Sequence, residues 1–408
     1  MPPPPPELPD DLVGDILLRL PPDDPACLLR ASLVCRRWRR LLADPAFRRR
    51  HRALHRRPSF LGFLGFLRVV RDDIPYCSRF VPNNPASRRP AARDLPGWLV
   101  LDCRHGRALF ATPSPSLGDE VALDFLVWDP LTGEQRRLPR PSPPPTADLL
   151  FNAAVLCAAH TGGCDHRGCH GGAFLVAFLF TKLIGDTGYI TSARVYSSET
   201  GDWSDLTIVQ HPDVYVDTKP LPSVLVGDAL YFCGNLTYAF EYQFGVGRLL
   251  LIGRPPPSVY QGRHIFLISM EDGGLGCTDV EEEPNLCLRL WSREAAPNGV
   301  ASWIQGRAID LNTLLPATPC PWSASFPRPD WMSSVEVLGF VDGTDIMFVG
   351  KRTFSGGIAG VYMVKLNSGR ATKVFEGRSC VFPYMSFSIP VKDAIATTEG
   401  SSEGLPRA

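Results

Sequence analysis

Six side chains able to hold a soft metal ion lie within fourteen residues: Cys157, His160, Cys164, His166, Cys169 and His170. Zinc takes four such ligands in a tetrahedron, and thiolates and imidazoles are its usual donors. Gly162, Gly163, Gly168, Gly171 and Gly172 leave the backbone free to wrap around an ion. The spacing is not that of two Cys-x-x-Cys knuckles, and Cys157 reads as the end of a preceding strand. The competing reading is a long flexible loop between two strands. On the sequence alone, no metal and no cofactor is assigned.

Other residues with chemical potential form no catalytic signature. The chain has no Gly-x-Ser-x-Gly elbow, no phosphate-binding Walker loop and no His-Glu-x-x-His pair. Gly273-Gly274-Leu275-Gly276 lacks the strand-to-helix setting that phosphate binding needs. His105 sits in a short turn with no evident partner, so it reads as a turn residue and not as a base. Trp98, Trp128, Trp203, Trp291 and Trp303 recur at comparable places and read as packing residues. No catalytic residue is assigned, and the chain reads as a non-enzyme.

Composition narrows the function classes. The 408 residues carry 42 basic and 42 acidic side chains, so no bulk attraction to nucleic acid or membrane is expected. Ten arginines fall between Arg36 and Arg57. They could mark a nucleic-acid or nuclear-import patch, but the solvated face of helices accounts for them more simply. The start, Met1 followed by five prolines, lacks the features of a signal peptide. The longest apolar run, Ala173 to Phe180, is too short to span a bilayer. An intracellular protein, cytoplasmic or nuclear, is expected, with its twelve cysteines reduced.

The elements that must position any site fall into two regions. From Glu7 to about residue 57, start and stop signals predict three helices. Asp10 can cap the first, whose apolar positions are Leu12, Val13, Ile16, Leu17 and Leu20. Pro21 and Pro22 end it, and Asp24-Pro25 starts a second with Leu28, Ala31, Cys35, Trp38 and Leu42 on its stripe. Asp44-Pro45 starts a third, carrying Phe47 and Leu54. A unit this small buries too little surface to be comfortably stable alone, so a partner that completes its core is one expectation. An amphipathic cap on a larger domain of the same chain is the other.

The residues Leu8-Pro9-Asp10-Asp11-Leu12, Ile16-Leu17, Leu20-Pro21, Leu33-Val34-Cys35-Arg36-Arg37-Trp38 and Asp44-Pro45-Ala46-Phe47 resemble an F-box in order and without a gap. The resemblance implies binding to a Skp-family linker protein and, through it, to a cullin–RING ubiquitin ligase. It also implies a contact or core set of Leu8, Pro9, Ile16, Leu17, Leu20, Pro21, Leu28, Leu29, Val34, Cys35 and Trp38. Two features depart from the pattern: Gly14 within the first helix, and the acidic pair Asp23 and Asp24.

After Pro58, short apolar runs alternate with turn residues and no long helical period survives. Five loose units appear, opening near Trp98, ahead of Val195, and at Val224, His264 and Val335, at the spacing of propeller blades or somewhat above it. The steps Gly227-Asp228-Ala229-Leu230-Tyr231 and Asp129-Pro130-Leu131-Thr132-Gly133-Glu134 resemble Kelch-like and F-box-associated propeller repeats. The whole looks like a plant F-box family expanded in grasses, with Asp102 to Arg107 and Val381 to Tyr384 as landmarks. By that resemblance, the first strands (Phe60 to Val70) and the last (Cys380 to Ile389) close one blade together.

The expectation is therefore an α+β multidomain chain. Residues 1–6 are a disordered start and 7–57 a three-helix F-box. Residues 58–392 form a large all-β domain read as a six-bladed β-propeller, with a pair of β-sandwiches as the rival, and 393–408 a disordered tail. The function implied is a substrate-recognition adaptor of a Skp–cullin–F-box ubiquitin ligase, recruiting an unidentified target protein. The alternatives are a propeller enzyme and a nuclear nucleic-acid-binding protein with a basic helical start.

Overall fold

The computed structural model describes residues 8–20, 25–55, 59–67, 77–83, 90–114, 122–141, 150–159, 164, 166, 169–184, 188–217, 221–235, 238–253, 265–270, 272–281, 286–295, 301–315, 335–352, 358–376 and 380–386. The expected disordered ends, Pro21, and the proline runs at 255–257 and 319–329 lie outside these residues.

Four helices form at the N-terminus, not three: α1 (Asp10–Leu18), α2 (Pro25–Val34), α3 (Arg36–Ala43) and α4 (Pro45–Leu54). The second expected helix is divided at Cys35. Its backbone is extended (φ −159°, ψ 165°) and its Sγ accepts the Trp38 amide at 3.4 Å, so the sulfur caps a new helix. Asp10 also departs from expectation. Pro9 occupies the cap position, and no side chain caps α1. Asp10 instead pairs with Arg37 of α3, whose guanidinium also bonds the Leu8 carbonyl. The signal at Asp44 holds: its carboxylate accepts the Ala46 amide at 2.8 Å ahead of Pro45 at the first turn. Val13, Leu17, Leu18, Leu28, Ala31, Leu42 and Phe47 bring all four helices to one small core, with Trp38 packed against it.

The rest of the described chain forms six four-stranded antiparallel sheets arranged as a six-bladed β-propeller. One blade holds β1 (Ser59–Leu67), β2 (Cys77–Pro82) and β3 (Arg93–Pro96), and receives β24 (Val381–Ser386). The next is β4 (Leu99–Arg104), β5 (Arg107–Ser114), β6 (Ala122–Trp128) and β7 (Gln135–Arg137). The third is β8 (Leu150–Cys157), β9 (Phe174–Leu183), β10 (Tyr189–Ser197) and β11 (Thr207–His211). The fourth is β12 (Val224–Val226), β13 (Ala229–Cys233), β14 (Tyr238–Gln243) and β15 (Arg248–Gly253). The fifth is β16 (Phe266–Ser269), β17 (Leu275–Glu281), β18 (Cys287–Ala295) and β19 (Ala301–Asp310). The sixth is β20 (Val335–Phe340), β21 (Ile346–Arg352), β22 (Ile358–Lys365) and β23 (Arg370–Phe375). The sandwich alternative is set aside by this arrangement.

Sequence proximity explains the blades, because short turns favour antiparallel neighbours. Closure requires the opposite: β24 pairs with β1 in the order β24-β1-β2-β3, with Leu64 opposite Phe382 and Gly65 opposite Val381. Gly62 lies at a bulge in that pairing, where a Cβ would stand 2.4 Å from the Val81 carbonyl oxygen. Apolar side chains fill the space between blades. Phe125 of β6 meets Phe178 of β9 at 5.1 Å between ring centres, and Phe63 of β1 meets Phe348 of β21 at 5.2 Å. Trp203 and Trp303 act as ties to the preceding blade, donating from Nε1 to the carbonyls of Pro139 (2.8 Å) and Gly253 (2.9 Å). The tryptophans thus serve packing, as their sequence positions indicate.

Candidate functional site

Two faces and one side-chain cluster carry chemical potential. The first is on α1. Leu8 lies just ahead of the helix, before its cap Pro9, while Leu12 and Ile16, spaced by four, share one face of a helix of 3.6 residues per turn. The three are 50%, 51% and 50% exposed, while Leu17, on the inward face, is 1% exposed. Leu33 and Val34 at the end of α2 are exposed as well. Together these residues leave an apolar surface of the four-helix unit open to water.

The structure sorts the eleven expected contact residues, which the sequence could not do. Leu8, Pro9, Ile16, Val34 and Cys35 are exposed. Leu17 and Leu28 belong to the internal core, and Leu20 and Trp38 pack against it half-buried. Pro21 and the side chain of Leu29 lie outside the described residues. Leu12 and Leu33 are exposed candidates absent from the expected set. Their signal was available, for Leu12 in its four-residue spacing from Ile16.

The second face is the mouth of the propeller channel. The first strands of the blades, β4, β12, β16, β20 and β24, surround a cavity of about 360 Å³. Its wall mixes apolar side chains such as Phe266 and Phe382 with Asp102, Arg104, Ser223 and Asp342. That mixture is typical of pockets that bind a ligand or an inserted side chain. The two sequence landmarks meet here. Tyr384 on β24 is buried, and its Oη lies 3.4 Å from both the Gly106 carbonyl oxygen and the Asp129 carboxylate.

Arg104 reaches from β4 to the segment before β12, donating to the Ser223 carbonyl at 2.6 Å and to its Oγ at 3.3 Å. Asp102 lies 3.3 Å from the same guanidinium and accepts the Val155 amide of β8 at 2.9 Å. Burial pushes the Asp102 carboxyl above its usual range, against the pull of Arg104 and two backbone amides. These polar groups join three blades at one end of the channel.

The Cys/His cluster borders this mouth. Cys157 ends β8, as expected, and the chain returns through a short 3₁₀ turn at Cys169–Gly171 before β9. The ligating atoms of Cys157, Cys164, His166 and Cys169 all lie within 4.8 Å of one another. Cys169 Sγ is 3.8 Å from His166 Nδ1, and the His166 amide donates to Cys164 Sγ at 3.3 Å. Burial and the neighbouring thiols push Cys169 up to about 12. Burial likewise raises Cys157. His160 and the side chain of His170 lie outside the described residues.

His105 supports the cluster from the next blade. With Gly106 it forms the two-residue turn between β4 and β5, both at positive φ (52° and 76°). Its Nδ1 accepts the Cys157 amide at 3.1 Å, and its ring stacks on His166 at 3.9 Å. The residue therefore stabilises a turn and a blade junction. Arg107, one step further, is buried and donates to the carbonyls of Cys169 and Gly172, both at 2.6 Å.

Among known families, residues 6–50 match the F-box domain. No curated protein matches the chain. Among solved structures, a Bacteroides uniformis protein described as a 6-phosphogluconolactonase aligns over 79% of this chain and 98% of its own, at 10% identity and a TM-score of 0.34. A polysaccharide lyase, an ulvan lyase, aligns over 73% and 71%, at 10% identity and a TM-score of 0.40. At these scores neither neighbour bears on activity. Among the described residues, no helix is long and apolar enough to cross a membrane.

Proposed function

From an F-box domain joined to a six-bladed β-propeller, we propose that the chain is a substrate-recognition adaptor of a Skp–cullin–F-box ubiquitin ligase. The observation that carries this reading is the exposed stripe Leu8, Leu12 and Ile16, lying within the matched F-box residues. A helix face left without apolar cover suits the groove of a Skp-family linker. The propeller supplies a rigid support whose loops and channel mouth capture a target protein. The chain makes and breaks no bonds in this reading. It acts by holding a target near a charged ubiquitin-conjugating enzyme, which raises effective concentration. Such an adaptor works in the cytoplasm or the nucleus.

The test is co-purification with a Skp-family linker. The native chain is expected to bind it stoichiometrically, and Leu12→Asp with Ile16→Asp to reduce binding at least about 100-fold, a loss of some 3 kcal/mol. Both side chains already face water, so the variant keeps the four-helix core. Retention of full affinity by a folded double variant would sink the reading.

A further inference from the structure

The structure assigns a second, unrelated property: we infer that Cys157, Cys164, His166 and Cys169 form a structural zinc site that ties the β8–β9 connection to the mouth of the propeller channel. The inference is independent of the adaptor role.

Geometry carries it. In a tetrahedral zinc site the Zn–S distance is about 2.3 Å and the Zn–N distance about 2.0 Å, which puts neighbouring ligand atoms roughly 3.5–3.8 Å apart. The four atoms here are within 4.8 Å of one another, and the Cys169 Sγ to His166 Nδ1 edge is already 3.8 Å. Closing the remaining edges takes side-chain rotation of about 1 Å. Three sulfurs and one imidazole nitrogen fill a four-coordinate shell and leave no open position, which is the mark of a structural site and not of a catalytic one. The soft donor set favours zinc over magnesium or calcium, which prefer oxygen.

The surroundings are those of a built site. The His166 amide points at Cys164 Sγ, an N–H···S contact that stabilises a thiolate. The stacked His105 ring fixes the plane of His166, and the same His105 holds the backbone of Cys157. Arg107 grips the Cys169 carbonyl and is itself buried. Its Nη1 is buried with no hydrogen-bond partner among the described residues. Zinc with three thiolates carries one net negative charge, and the guanidinium beside it supplies the balancing positive charge. The consequence is local order. His166 lines the channel mouth, so a metal that fixes His166 also fixes part of the surface the channel offers.

Two measurements test this on the full-length chain. Purified without chelator, it is expected to contain about one zinc per molecule. After chelation, cobalt(II) should bind and give the thiolate charge-transfer band and the intense d–d absorption of a tetrahedral site. Cys164→Ser and Cys169→Ser should each lose the metal, whereas Cys287→Ser, on β18, should keep it. Circular dichroism and a thermal melt establish that each variant retains its β-sheet. A folded native chain that holds no zinc and shows no tetrahedral cobalt spectrum overturns the proposal. So does a disulfide among the three cysteines in the protein isolated under reducing conditions, or full metal retention in both loop variants.

Discussion

Asp102 is a carboxylate held where water is scarce, and its protonation is tied to stability. Its carboxyl is raised in the fold above its unfolded value, with burial as the main cause. A group raised in this way favours the folded state at low pH and loses that contribution as pH climbs through its folded value. Asp102→Asn removes the titrating group. Its melting temperature relative to the native chain is therefore expected to rise with pH from about 4 upward, where free aspartate ionises. Paired thermal melts across that range check this, and a difference that is flat or falls with pH contradicts the assignment.

At the scale of the element, α1 contains an avoidable weakness. Gly14 lies inside the helix, and a Cβ there would meet nothing within 4 Å. Gly14→Ala should raise the stability of the helical unit by about 0.5–1 kcal/mol, through reduced freedom of the unfolded chain. Denaturation of the complex with the linker, or of the helical unit by circular dichroism, reads the change, and a destabilisation would show that the helix is crowded at that point. Proline and aspartate made the helix starts legible, and Asp44-Pro45 behaves as its chemistry predicts. The break at Cys35 was not legible, because Val34-Cys35-Arg36 contains no residue that stops a helix. Only the folded chain shows a sulfur serving as a cap. The Cys/His cluster was half legible. Its residue types were evident, but Cys157 and Cys169 meet because β8 and β9 pair antiparallel, and ligand spacing alone does not encode that pairing. The contribution of His105 and Arg107 comes from a different blade and left no local signal.

For the whole molecule, the blade pattern was readable from recurring turns, and the closing blade only through the resemblance to F-box-associated propellers. The pairing of β24 with β1 is a long-range event that local pattern cannot prove. It carries a strong expectation for truncation. A chain ending at Phe375 loses β24, exposing the edge of β1 and opening the apolar faces of Phe63 and Phe348. That chain should melt without a cooperative transition and self-associate, while its helical unit still binds the linker. Light scattering and calorimetry decide it: a monomeric, cooperatively melting product would mean that the ring does not depend on closure.

The closure also orders events in time. Of the propeller strands β1, β2 and β3 are made first, yet their blade stays incomplete until β24 has been synthesised. Contacts between residues far apart in the chain are slow to find one another, since the loop between them must be closed before any gain is felt. The five blades in between can assemble in sequence order, each from neighbouring strands. The final step joins the last-made strand of the propeller to its first-made one. Because the four helices lie ahead of β1, the helical unit is complete long before the ring is, and an unfinished propeller would already be presenting the exposed face of Leu12 and Ile16.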